Sequence, residues 1–440
     1  MQSDVGMLGM KRNKVLIKVI NLYLIMTIIY YFFGRYDWTI PSNLKLFIYL
    51  VLLLLALNIG YNFKYRFAIS HRNNHLYNSV GFMKKERKVF LISCFSIIVF
   101  QIAWVITVLG SFDISNIFSS LGENYYERLS FTTEESVFIM QLRTILWGLT
   151  LFAYPIGFIY FNKLTKVEKI IFLTTITIDI LASLNMGVSK PIGDIVIILI
   201  LSLLVKKGEN KKTNNLFSNI KLFRNIAVLV ISFIIIFGVI QQIRDDSTDT
   251  QASTFENPYS KFADLRANTI FDIMFLKNDT ILKVVDRMGA YISHGYTGLA
   301  FALELPFENT YGIGFSRALI EYTEQYTSIS VNENTYMERI EVEYGWPNGV
   351  YWPTAYTWFA SAFSFWLLPF IMFFLGYIIK RVELRYREYG DIYSLALLSQ
   401  LFILAIYLPG NAQIFQSRAA LFGTLLLIFL YIYTGRKYEK

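Results

Sequence analysis

The sequence predicts an all-α fold: a polytopic integral membrane helical bundle of about ten transmembrane helices. Both termini are expected to be cytoplasmic, with one large outer loop between spans 7 and 8. Three observations carry this. Apolar residues fill 55% of 440 positions and the mean hydropathy is +0.43, gathered in blocks of roughly 17 to 25 residues, the length a bilayer core demands. Lipid offers backbone amides no water, so a span is a helix or part of a closed barrel, and long unbroken apolar runs lack the alternation of a barrel. One stretch alone, residues 244–357, is long, polar and acidic.

In chain order the spans are expected near 15–33, 44–61, 89–110, 137–161, 170–187, 192–205, 223–243, 358–379, 392–408 and 419–434. The first follows Lys11, Arg12 and Lys14. It is about twenty residues long and lacks a small-residue cleavage site, so it reads as a retained span rather than a signal peptide. Only VSKP separates the fifth from the sixth, which makes a tight helical hairpin. The chain thus divides into residues 1–243 with spans 1–7, an outer loop at 244–357, and residues 358–440 with spans 8–10 and a cytoplasmic tail.

Orientation follows from the cations, because basic residues in short loops stay cytoplasmic. The loops assigned inside, with Arg224 and the two termini, hold 26 of the 41 basic residues but only 8 of the 32 acids. The outer loop has 16 acids against 8 bases. The net charge of +9 is therefore mostly topogenic, and no nucleic-acid partner is expected. Cys94, the only cysteine, falls in the third span, so no disulfide and no cysteine metal site are expected. There is no strong internal repeat, and the single long loop makes the halves asymmetric, unlike the paired halves of many secondary transporters.

Charges in or beside spans are costly and mark either a water-filled cavity or an ion pair. Arg143 lies nearly two turns into the fourth span, Asp179 near the middle of the fifth, Lys190 and Asp194 at the hairpin tip, and Arg418 at the start of the tenth. On one reading Lys190 and Arg418 snorkel to headgroups and Arg143 pairs with Asp179. On the other the cations share a cavity for an anionic headgroup, work that suits the planar, permanently charged fork of arginine.

Within the loop, Phe262, Leu265, Ile273, Leu276, Ile281, Val284 and Val285 recur near helical spacing. This predicts a lead helix along the membrane surface or capping the bundle. Glycines 289, 295, 298, 312 and 314 then interrupt aromatic and apolar residues, which suits re-entrant or tightly packed backbone. His294 is the only histidine outside, since His71 and His75 fall in a cytoplasmic basic loop. It is a candidate general base for a sugar hydroxyl, or a plain hydrogen-bond donor beside Gly295. Asp286, Glu304 and Glu308 compete for the role of base. Arg287 and Arg317 hold phosphate or neutralise the surrounding acids. Tyr291, Tyr296, Tyr311, Trp346 and Trp352 stack on sugar faces or belong to an interfacial belt.

The long outer loop, the patch YISHGYTGLAFALELPFENTYGIG and the following GVYWPTAYTWFASAFSFWLLPFIMFFLGYIIKR resemble the Wzy-type repeat-unit polymerases of O-antigen and capsule synthesis. The hairpin entering SKPIGDIVIILILSLLV is similar to their Ser-Arg entry into a span, shared with the related O-antigen ligases, with Lys190 standing where the arginine is usual. Arg287 and Gly298 match the R-x10-G pattern of such loops.

The resemblance implies a multi-pass protein of the bacterial cytoplasmic (inner) membrane that joins polyprenyl-pyrophosphate-linked oligosaccharide repeat units on its outer face. The growing glycan passes to the next lipid-linked unit, with no cofactor and no metal. The implied partners are the lipid-linked oligosaccharide, the bilayer, and a chain-length regulator and flippase of the same pathway. The site expected is His294 and Arg287 as catalytic residues, with Arg143, Lys190, Arg317, Arg418, Tyr291, Gly298 and Tyr311 binding pyrophosphate and glycan. Two other readings stay open: an O-antigen ligase, with the same chemistry on a different acceptor, and a lipid-linked oligosaccharide flippase or transporter. Metal-dependent lipid-sugar transferases fit less well, because the first outer loop is only about RYDWTIPSN.

Overall fold

The computed structural model describes residues 14–63, 84–130, 137–209, 216–246, 259–267, 269–274 and 279–435. The described residues are mostly helical, with one two-stranded ribbon among them. The first half runs α1 (Val15–Phe33), β1 (Tyr36–Trp38), α2 (Asn43–Asn62), α3 (Lys84–Leu109), α4 (Ile117–Ser130), α5 (Val137–Thr150), α6 (Ala153–Tyr160), α7 (Lys166–Asn185), α8 (Lys190–Glu209) and α9 (Leu216–Asp246). The second half runs β2 (Ala263–Leu265), α10 (Ile270–Met274), α11 (Asp279–Ser293), α12 (Gly295–Ala302), α13 (Arg317–Tyr326), α14 (Tyr336–Tyr344), α15 (Ala355–Tyr389), α16 (Ile392–Tyr407) and α17 (Arg418–Gly435).

Each of the ten expected spans is helical, but only seven described helices are long and apolar enough to cross a membrane. They are α1, α2, α3, the run 141–163 through α5 and α6, α9, α15 and α17. The other three fall short for visible reasons. Helix α7 carries Lys166, Glu168, Lys169 and Asp179, α8 carries Lys190, Asp194, Lys206 and Lys207, and α16 has 16 residues. Membrane embedding also shows in what is left uncovered: Leu52, Ile92, Phe95, Ile231, Phe370 and Phe429 are all exposed on these helices, as a lipid-facing surface requires.

Contacts sort the helix ends into two groups. At one end Lys14 bonds Asn62 at 2.5 Å, Arg87 meets Glu168 at 3.3 Å, and Arg385 pairs with Asp391 at 2.8 Å. At the other Lys45 reaches Glu304 at 3.0 Å, Ala355 N donates to Leu408 O at 3.0 Å, and Arg418 reaches Gln325 at 3.3 Å. The described residues between α9 and α15 therefore sit on the second end, together with the α1–α2, α7–α8 and α16–α17 connections.

Helices α2 and α15 cross in close contact. Gly60 and Gly376 let the backbones touch, since a β-carbon on Gly376 would collide with Leu57 O, and one on Gly60 with Phe373 O. Small residues at such crossings are how helices associate where lipid removes the hydrophobic drive. Helix α15 itself breaks at Ser364, whose φ of 67° is left-handed. The break and Pro369, which has no N–H, strip carbonyls of their helical donors, and others replace them: Thr310 Oγ1 donates to Ser361 O at 2.6 Å and Tyr49 Oη to Phe365 O, four residues before Pro369, at 2.7 Å. Residues 355–362 before the break are wholly buried, whereas Trp366 beyond it is 89% exposed.

The outer segment departs from the expected lead helix. Residues 263–265 instead pair antiparallel with β1, Trp38 opposite Ala263 and Tyr36 opposite Leu265. Thr39 N donates to Phe262 O at 2.9 Å and Arg266 N to Arg35 O at 2.7 Å. An unpaired strand edge at Tyr36–Trp38 is the stronger local partner for these residues, so helical spacing of Phe262 and Leu265 does not produce a helix. Ile273 falls in the short helix α10, and α11, described from Asp279, packs inward, with Gly238 of α9 against Val284 and Gly289 against Tyr30 of α1. Leu276 lies outside the described residues. The glycine-rich patch is tightly packed: every residue of the eight-residue α12 is buried, and Tyr296 and Thr297 bond Thr27 and Tyr31 of α1 at 2.9 and 3.1 Å.

Replacing Gly376 by leucine should force α2 and α15 apart at a cost of about 3 kcal/mol. The thermal unfolding midpoint in detergent should drop well below that of the lipid-face control Trp366→Leu; equal midpoints would show that this crossing is not close-packed.

Candidate functional site

The site begins at the α7–α8 hairpin. Gly187, with φ of 63°, turns the chain, and Val188 N closes onto Ser183 O at 2.9 Å. Helix α8 starts at once, so Lys190 and Asp194 fall one turn apart and their side chains meet at 2.6 Å. Tyr407 of α16 lies against Asp194, whose Oδ1 is buried and makes no well-aligned hydrogen bond. Deeper in the bundle Asp179 accepts from Gln101 of α3 and Tyr154 of α6. Arg143 does not bond Asp179, as one sequence reading had it. Its guanidinium stacks between Trp104 and Trp147, 4.6 and 4.9 Å from the ring centroids, within the electrostatic reach of Asp179.

Two further arginines approach from α4 and α9. Arg244 lies 3.4 Å from the Tyr125 ring centroid and Arg128 5.2 Å from it. Tyr291 of α11 sits in the field of Arg244, Asp194 and Tyr125, and is held by Phe237 and Trp352 at 4.9 and 5.0 Å. Lys190, Asp194, Tyr291 and Tyr407 thus meet Tyr125, Arg128 and Arg244 where α4, α8, α9, α11 and α16 converge. Arg287 precedes Tyr291 by one turn of α11 and is partly buried near Tyr36.

The sequence reading found Lys190, Asp194, Arg143, Arg287 and Tyr291 but not Arg128, Arg244, Tyr125 or Tyr407. Arg244 looked like the first residue of a solvated loop, and Tyr407 like one more apolar residue at a span end. A faint signal existed on α4: Leu121, Tyr125 and Arg128 recur at helical spacing, with Glu123 and Glu127 on the opposite face.

Other expected site residues go elsewhere. Arg317 and Arg418 share Glu321 at 2.9 and 3.8 Å on the exposed faces of α13 and α17, because a carboxylate one turn from Arg317 captures both. Tyr311 is 65% exposed on a turn with φ of 54°. Gly298 serves packing, since a β-carbon there would press on Pro353 and on Trp346 Nε1 at 3.0 and 3.2 Å. The competing bases are each ion-paired: Asp286 with Arg35 at 3.0 Å, Glu304 with Lys45 at 3.0 Å and Glu308 with Arg339 at 3.2 Å. Burial pushes Asp286 up to about 6, opposed by Arg35.

His294 is 2% exposed in a cage of Tyr259, Trp346, Tyr351 and Trp352, with ring centroids 5.1 to 6.2 Å away. Its Nδ1 lies 2.9 Å from Ala290 O. A carbonyl only accepts, so Nδ1 carries the proton and Nε2 presents a lone pair, buried with no hydrogen-bond partner among the described residues. Burial lowers its pKa to about 4, which makes it a poor proton acceptor at neutral pH. Among the described residues no group of three or more His, Cys, Asp or Glu side chains is placed to hold a metal ion. Compared with family models, with characterised proteins and with solved structures, the chain matches none.

The depressed pKa of His294 makes the fold acid-sensitive. Below the ordinary value of 6.5 the unfolded chain takes up a proton that the folded chain refuses. Stability is therefore fully present above pH 6.5 and falls as pH drops toward 4, by up to about 3 kcal/mol. In detergent, His294→Phe should flatten the loss of unfolding midpoint between pH 7 and 5. An unchanged slope would place that sensitivity elsewhere.

Proposed function

We propose that the protein is a glycan polymerase that elongates polyprenyl-pyrophosphate-linked oligosaccharides, transferring the growing chain to the next lipid-linked unit. One observation supports this most directly. Arg128, Lys190 and Arg244 converge with tyrosines and the carboxylate of Asp194 at the end of the bundle that carries the described residues from 259 to 354, with Arg143 one layer deeper. Cations held by packed helices stabilise a pyrophosphate leaving group as its charge develops, without reorganising at the moment of reaction.

In this reading the bond between the donor's anomeric carbon and the pyrophosphate oxygen breaks while the acceptor hydroxyl oxygen bonds that carbon. Asp194 takes the hydroxyl proton and polyprenyl pyrophosphate departs with the electron pair. Asp194 suits the proton better than His294, having an oxygen outside its Lys190 ion pair, while His294 is enclosed by rings. Tyr291 and Trp352, edge to face at 5.0 Å, offer surfaces for a sugar. Arg287, one turn along α11, adds positive charge on the loop side.

The test is purified protein in detergent with a lipid-pyrophosphate-linked repeat unit. A ladder of longer lipid-linked glycans is expected, and Lys190→Ala should slow it about 100-fold. Transfer only to a lipid A core acceptor would make the protein a ligase. Movement of the lipid across vesicles without any new bond would make it a flippase, and either result ends the polymerase reading.

A further inference from the structure

We propose that Asp286 is a proton-operated latch: it shares the guanidinium of Arg35 with Asp272, and taking up a proton from water tightens the seat of α11, which carries Tyr291. The bearing of the latch on glycan transfer rests on the reading above. The latch itself rests on the geometry of three charges.

Those charges meet where α1, α10 and α11 join. The side chains of Arg35, Asp272 and Asp286 are 14%, 12% and 11% exposed, so one cation faces two carboxylates in a place nearly closed to water. The two acids are not served alike. Asp272 bonds Arg35 through one oxygen, and its other oxygen accepts from Thr269 N and Oγ1 at 2.7 and 2.6 Å. Asp286 Oδ1 lies 3.0 Å from Arg35 Nε, yet the two are aligned too poorly for a hydrogen bond, and both atoms are buried without another partner. Asp286 is therefore the carboxylate that gains from a proton.

The other described groups around it do not reverse this. Tyr30 of α1 and Tyr36 of β1 lie in its field as neutral rings, and Arg287, next along α11, acts on Tyr36, while Arg35 is the cation that favours the Asp286 charge. A buried carboxylate so placed prefers the neutral form. Burial chiefly pushes Asp286 up to about 6, with Arg35 opposing and Asp272 adding. Once Asp286 is neutral, Arg35 and Asp272 remain as a balanced pair.

Asp286 sits in the seat of its helix, between Val284 against Gly238 of α9 and Gly289 against Tyr30, whose Oη donates to Val285 O at 3.4 Å. If α11 leaves this seat, the carboxyl returns to water and to its ordinary value of 3.8. The seated form thus binds the proton more tightly. The seat is weakest at neutral pH, strengthens as pH falls through 6 and gains nothing more below 3.8. This is opposite in sign to the acid sensitivity conferred by His294, so the two effects can be told apart.

The test is amide hydrogen exchange on purified full-length protein in detergent, read as protection factors for residues 279–293 so that the chemical pH dependence drops out. From about pH 7.5 to about pH 5, protection in wild type divided by protection in Asp286→Asn should rise about tenfold, His294 being common to both. In His294→Phe, which keeps Asp286, protection should itself rise about tenfold over the same range. That variant decides alone if Asp286→Asn does not fold. A flat ratio, or protection in His294→Phe that stays level or falls with acid, overturns the latch. No glycan transfer is read. A rising ratio in a protein that makes no polymer would uphold the latch and end the polymerase reading, whereas elongation with a flat ratio would do the reverse.

Discussion

Arg35 fixes the outer segment to the bundle, and the site depends on it. It stands between α1 and β1, where its guanidinium holds Asp272 and, at 3.0 Å, Asp286 of α11, while its carbonyl accepts from Arg266 N at 2.7 Å. Arg266 in turn binds Asp37 and donates to Phe32 O at 2.7 Å. One residue therefore ties α1, the β-ribbon, α10 and α11 together. Arg35, Asp272 and Asp286 are largely buried, so breaking one of these pairs leaves an uncompensated charge. Helix α11 is thereby set against α1 and α9, and Tyr291 hangs beside Arg244 and Asp194 rather than in solvent.

A second consequence concerns the sixteen acids of the outer loop. Those with described partners mostly stitch the segment together: Asp272 and Asp286 hold Arg35, Glu304 holds Lys45, Glu308 holds Arg339, and Glu324 accepts from the Val331 and Asn332 amides at 2.9 and 2.8 Å. Among the described side chains, the carboxylates beside the cationic cluster come instead from α7 and α8, Asp179 and Asp194, and they stand with Arg128, Arg143, Lys190 and Arg244.

Much of the architecture was legible in the sequence. Spans of helix follow from the apolar blocks, and the hairpin follows from VSKP, because lipid permits few alternatives. Lys190, Asp194, Arg143 and Tyr291 were legible for the same reason: a charge or a polar ring in such blocks stands out. Arg128, Arg244 and Tyr407 were not. Their roles arise from which helices touch, and α4 meets α9 across more than a hundred residues of chain. The β-ribbon was hidden because three-residue strands carry no period, and Arg317 and Arg418 were misplaced because their shared partner, Glu321, is set by the fold of α13. The kink at Ser364 did leave a mark, Pro369, whose ring and missing N–H disturb the turn four residues back, at Phe365.

The account stands on the outer segment capping the bundle on the far side of the membrane from the basic loops. Cys94 is the only cysteine and is buried, so an introduced cysteine reports alone. Val342 on α14 is 75% exposed and Val167, at the start of α7 on the opposite end, is 65% exposed. In right-side-out membrane vesicles an impermeant maleimide should label Val342→Cys at once and Val167→Cys only after permeabilisation. Labelling of Val167→Cys from outside, or of both from one side, would contradict the orientation on which the site depends.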